Sequence, residues 1–157
     1  MPSLVWSDAL KLDNPRMDDT HREFVDLLNR LEAAPDDEVL PRFRRLVEHT
    51  VGHFAQEDRW MQATGFAPQN CHTGQHAQVL QILQALLERA DLAELRRATA
   101  ELAQWFEHHA QTMDAALAFH CVQRGYDTTE ERFAAGREPV AAAEAAPITG
   151  CGSHACA

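Results

Sequence analysis

Apolar residues recur along most of this chain at steps of three and four, the spacing that lines up side chains on one face of an α-helix. Met17, Phe24, Val25, Leu28 and Leu31 form a first stripe and predict a helix over about residues 17–33. Asp18 and Asp19 suit its positive N-terminal end, and Pro35 stops it. A second stripe, Val39, Phe43, Leu46, Thr50, His53, Glu57 and Met61, predicts a helix that starts after Asp36 or Asp37, tolerates Pro41 in its first turn and ends at Gly65. Pro68 suits the start of a third, whose stripe is His72, His76, Val79, Leu83 and Leu86 or Leu87. Asp91 can cap a fourth, with Leu95, Leu102, Trp105, His109 and Met113 inward and Gly125 near its close. Four long helices with short links predict an all-α, up-down-up-down four-helix bundle over residues 17–125. Residues 1–16, with Trp6 and Pro15, read as an irregular N-terminal arm. The capping box Thr128-x-x-Glu131 predicts a short helix within residues 126–135. Residues 136–157 read as a flexible Ala/Pro-rich tail ending in Cys151, His154 and Cys156.

Composition narrows the function classes. A chain of 157 residues is long enough for one buried core. Its net charge of −10 argues against nucleic acid, whose phosphates need a basic surface, and against an anionic membrane. No apolar run approaches the roughly 20 residues of a spanning helix. The start, Met1-Pro2-Ser3-Leu4, lacks the basic and apolar regions of a secretory signal, so a cytoplasmic monomer with its four cysteines as thiols is expected. Cys151, His154 and Cys156 offer a labile metal contact or a thiol switch, with incidental tail thiols the plainer reading.

Nine histidines are the anomaly, because every predicted stripe carries at least one where an apolar side chain belongs. Burying an imidazole on each helix is costly unless each finds a partner. His53-x-x-x-Glu57 and His72-x-x-x-His76 are i,i+4 pairs, roughly 5–6 Å apart on one helix face, so two side chains can reach one metal. Mixed imidazole and carboxylate ligands suit iron, manganese or zinc, and a carboxylate can bridge two metals. His109 and Asp114 fit less well: five residues span about 140° of an ideal α-helix, and α periodicity does not pair them.

These residues resemble the hemerythrins, specifically the bacterial branch, over roughly residues 4–125. The matching segments are Leu4-Val5-Trp6-Ser7-Asp8 with Met17-Asp18-Asp19-Thr20-His21, then Leu28-Asn29, and His53-Phe54-Ala55-Gln56-Glu57-Asp58 with Met61. Pro68 with His72-Thr73-Gly74-Gln75-His76, and Trp105-Phe106-Glu107-His108-His109 with Asp114, complete the set. The resemblance implies two unequal, oxo- or hydroxo-bridged irons without heme. His72, His76 and His109 would saturate one. His21 and His53 would hold the other and leave a position open, while Glu57 and Asp114 bridge. Dioxygen, the expected partner, would bind reversibly at the open position, walled by Leu28, Phe54, Met61, Trp105 and Ala110. His49, His108 and His120 match no ligand position and read as surface or outer residues. Ala110 departs from the family's larger aliphatic and would widen the pocket, and Gly74 costs its helix about 1 kcal/mol relative to Ala. Two other functions fit the same residues: a di-iron redox enzyme reducing peroxide or nitric oxide, and an iron-handling or interaction module.

Overall fold

The computed structural model describes residues 1–66 and 70–138. Four antiparallel helical rods form the bundle: α1 (Pro15–Glu32), α2 (Asp36–Thr64), α3 (Cys71–Arg89), and a composite fourth. The fourth rod runs through α4 (Leu92–His109), a π-helical turn (Ala110–Asp114) and α5 (Ala115–Arg124) without leaving helical geometry. The expected architecture is therefore present, and no helix among the described residues is long and apolar enough to cross a membrane.

Local chemistry sets the helix ends. Asn14 caps α1, its side chain accepting from Met17 N–H at 3.1 Å. Pro15 follows at the first helical position, where its missing N–H costs nothing. The helix thus starts two residues before the expected boundary at 17. Asp91 caps α4 by accepting from Glu94 N–H, and Gly65 and Gly125 close α2 and α5 in the left-handed conformation that glycine adopts without strain. The N-terminal arm contains a single short turn, Asp8–Leu10, and buries Leu4 and Leu10 against the bundle. Trp6 packs partly under the Arg22 guanidinium. Pro68 and the tail beyond residue 138, with Cys151, His154 and Cys156, lie outside the described residues.

The short helix expected within 126–135 is not formed. Tyr126–Asp127 instead pairs antiparallel with Arg132–Phe133 in a small hairpin. Competing bonds made by three residues explain the difference. Asp127 accepts from Thr129 and Glu130 N–H, which fixes a turn one residue before the expected cap. Thr128, the expected cap, donates to Asn14 Oδ1 across the chain. Glu131, its expected box partner, takes a positive φ and accepts from Arg59 and from Trp60 Nε1. Cys121, late on the fourth rod, is a buried thiol pushed up to about 12 by burial, whereas Cys71 departs from the expected thiols in being disulfide-bonded.

Two apolar clusters make the core. The larger includes Phe24, Leu28, Val39, Phe43, Leu46, Leu95 and Phe106. The smaller gathers Met17, Trp60, Met61, Phe66, Leu117 and Cys121. Reading along α1, Met17 belongs to the smaller and Phe24 to the larger, with His21 between them. A layer of polar side chains sits at that level of every rod.

Candidate metal centre

Each rod contributes to this layer. α1 supplies His21, α2 supplies His53 and Glu57, α3 supplies His72 and His76, and the fourth rod supplies His109 and Asp114. All seven side chains predicted as a set from the sequence are brought together, and none is more than 2% exposed. Their ligand atoms form two groups: Glu57, His72, His76, His109 and Asp114 in one, and His21, His53, Glu57 and Asp114 in the other.

The two carboxylates belong to both groups because each divides its oxygens between them. Glu57 turns Oε1 toward His53 Nε2 (2.9 Å) and His21 Nε2 (3.4 Å). Its Oε2 faces His72 Nε2 (3.3 Å) and His76 Nε2 (3.4 Å). Asp114 turns Oδ2 toward His21 Nε2 (3.2 Å), while Oδ1 faces His72 (3.0 Å) and His109 (3.1 Å). Two carboxylates therefore lie astride a seam, with three imidazoles on one side and two on the other.

The five-residue step from His109 to Asp114 is resolved by the π turn. Ala115 N–H reaches back to Ala110 carbonyl, an i→i−5 bond in place of the α-helical i→i−4. That wider turn absorbs one extra residue, so side chains five apart come to lie on one face, as His109 and Asp114 do.

The unmet needs of this layer fit metal ions. His21 Nε2, His72 Nε2, Glu57 Oε2 and both Asp114 oxygens are buried without an aligned hydrogen bond among the described residues. Several atoms that want a cation or a proton are thus crowded together in a site cut off from water. Protonation tells the same story. Burial alone would pull His21 and His72 down, but contacts with Asp114 and Glu57 prevail and hold both up to about 9. Burial would raise Glu57, yet the charge of His53 and its contacts with His21, His53 and His72 hold it well below the usual carboxylate range. Asp114, raised by burial and by Glu57, is carried well below its ordinary value by His109 and His21. Protons and metal compete for the same nitrogen lone pairs, and a bound cation would satisfy what the imidazolium charges satisfy in its absence.

Comparison with known proteins agrees with this geometry. The hemerythrin HHE cation-binding domain family matches residues 13–118. A bacteriohemerythrin of Ralstonia nicotianae is 36% identical over 137 residues, 85% of this chain and 100% of its own length. The chain belongs to the hemerythrin family. A myohemerythrin of Sipunculus nudus is 26% identical over 70% of this chain and 87% of its own, and a bacteriohemerythrin of Pseudomonas aeruginosa is 29% identical over 48% and 52% respectively. No solved structure matches significantly.

Within this hemerythrin layer the aromatic side chains divide between the two sides. Phe54 stacks flat on His76, ring centroids 3.9 Å apart, and Trp105 stacks on His109 at 4.4 Å. Both therefore cover the three-histidine side, although Phe54 also lies 5.3 Å from His53. The two-histidine side is walled by Phe106, edge-on to His21 at 5.1 Å, and by Phe24, 4.3 Å from Phe106 and 6.2 Å from His53. Neither is among the expected pocket residues: Phe24 lies on an apolar stripe that signals only core, and Phe106 lies off the expected fourth stripe, yet it is fully buried while Trp105 and Met113 are half-buried. Leu28 and Ala110 belong to the same apolar cluster as Phe24 and Phe106, whereas Met61 lies in the smaller cluster. His108 is exposed and His49 half-buried against Glu23. His120 differs from the expected surface or outer position: it is buried, packs on Phe66 and bonds the Thr64 carbonyl, tying α5 to the end of α2.

Proposed function

We propose that this centre holds two iron ions and binds dioxygen reversibly. The observation that carries the reading is the division of both carboxylates across the seam, each with one oxygen per side. Glu57 and Asp114 would bridge the two irons. His72, His76 and His109 would complete one coordination shell, and His21 and His53, one imidazole fewer, would leave room on the other. Two ferrous ions supply the electrons that reversible dioxygen binding draws on. The protein's part is to hold the ligands, keep the shells unequal and exclude water. Phe24 and Phe106 serve the last purpose on the side with room, because close-packed aromatic walls leave no polar partner for solvent.

Anaerobic loading with ferrous iron, followed by metal analysis and visible spectra on admitting and removing air, tests this. Two irons per chain and a colour that appears and disappears are expected. Fewer than two irons, or a colour that air produces and its removal does not reverse, would end the reading. Catalytic consumption of peroxide or nitric oxide with a reductant, without a stable oxygenated form, would move the protein to the enzymes. We take it as a cytoplasmic monomer, whose mass in solution gel filtration checks.

A further inference from the structure

The two sides of the centre differ in more than their number of imidazoles. His76 Nδ1 donates to Asp58 Oδ1 at 3.0 Å, and His109 Nδ1 donates to Gln75 Oε1 at 3.2 Å. The Nδ1 atoms of His21, His53 and His72 are buried without a hydrogen-bond partner among the described residues. Only two of the five imidazoles are therefore held from behind, and both are on the three-histidine side.

Their supports follow a rule along the chain. Asp58 is the neighbour of Glu57 on α2 and bonds an imidazole of α3. Gln75 is the neighbour of His76 on α3 and bonds an imidazole of α4. In α2 and α3, then, a side chain turned into the centre is followed or preceded by one that fixes a ring of the next helix. A carboxylate oxygen only accepts, so a neutral His76 bonded to it carries its proton on Nδ1 and leaves Nε2 a lone pair. The Gln75 carbonyl oxygen sets His109 the same way. The two Nε2 atoms then face one position, 3.3 Å from each other.

We propose that Asp58 and Gln75 are positioning residues that lock His76 and His109 in the Nδ1–H tautomer, so that two of the three imidazoles on that side are preset for a metal and that side fills first. The other side must choose tautomers and ring orientations when its metal arrives. Outer partners of this kind change metal affinity by about 10- to 100-fold. The filling order rests on the two-metal reading above, whereas the tautomer lock does not.

The test uses the full chain and two measurements. Asp58 and Gln75 are half-buried, so Asp58→Ala and Gln75→Leu leave the core intact. Nitrogen-15 spectra of the metal-free protein at alkaline pH, where the imidazoles are neutral, report each tautomer. Wild type is expected to show Nδ1–H at His76 and His109. Asp58→Ala should mix the tautomers of His76 alone, Gln75→Leu those of His109 alone, and Asp58→Asn, which keeps an acceptor oxygen, should retain part of the bias. Titration with cobalt(II), followed by its visible bands against a competing chelator, should show the first ion weakened about 10- to 100-fold in Asp58→Ala and the second little changed. A His76 that keeps its Nδ1–H in Asp58→Ala overturns the lock, and an equal weakening of both ions overturns the filling order. Wild type that takes up fewer than two cobalt ions sinks the two-metal reading and the filling order with it, and the tautomers alone then decide the positioning role.

Discussion

Asp114 has 0% of its surface exposed, yet its two oxygens face three imidazoles on two sides of a seam. Asp114→Asn preserves its volume but removes one oxygen and the negative charge. The expected result is a folded protein whose iron content falls from two per chain to one or fewer, measured by metal analysis after ferrous loading. Full loading would show that Glu57 alone is enough to bridge. His21→Ala should likewise leave a folded helical protein that loses its reversible colour change, and retention of that change would remove His21 from the site. The clustering of the seven candidate side chains was legible in the sequence because polar residues on apolar stripes contradict the rule that buried positions are apolar. Phe24 and Phe106 were not, because they obey it, and only their rings' approach to His21 and His53 distinguishes them from other core residues.

The elements show where local rules hold and where tertiary contacts override them. Helix positions and three of the caps followed from periodicity, Pro, Gly and Asp. The hairpin at 126–133 did not, because Thr128 and Glu131 bond to Asn14, Arg59 and Trp60, far away in sequence. The π turn left one trace, the five-residue step that α geometry could not pair. It holds one residue more than an α turn, and Thr112 within it is exposed. Deleting Thr112 should therefore return the rod to continuous α-helix with the downstream register kept. Helicity by circular dichroism and metal content should both be unchanged, because Asp114 then stands four residues after His109, on one face of an α-helix, and a drop in metal content would show that the site needs the π turn itself. Cooperative unfolding lost altogether would mean that the register is not absorbed there. Gly74, between His72 and His76, has open space where a Cβ would stand. Gly74→Ala is expected to stabilise the protein by about 1 kcal/mol in a denaturant titration, with metal content unchanged. No gain would show that the metal-free helix uses glycine's freedom.

At the scale of the whole molecule, a polar layer between two apolar clusters makes stability depend on what neutralises Glu57 and Asp114. Without metal that task falls to imidazolium. His21 and His72 are held up to about 9 from an ordinary value of 6.5, so they favour the fold fully below pH 6.5 and cease to as pH rises through 9. Glu57 and Asp114, held well below 4.5 and 3.8, contribute above those values and lose their contribution only in strong acid. His109 and His120, lowered chiefly by burial, work in the opposite sense and weaken the fold as pH falls below 6.5. The thermal midpoint of the metal-free chain should therefore peak near pH 6.5 and decline toward 9. A metal bound by the proposed ligands would displace the protons of His21 and His72, so its binding should tighten over the same interval as fewer protons compete. Free metal at 100 times its dissociation constant adds about 2.7 kcal/mol, and each further tenfold tightening about 1.4 kcal/mol. Zinc-loaded protein, free of redox chemistry, should hold its midpoint level or gain from pH 6.5 to 9, and the gap between the two curves should widen. Parallel curves would mean that the metal does not replace those protons, and hence that His21 and His72 do not face it.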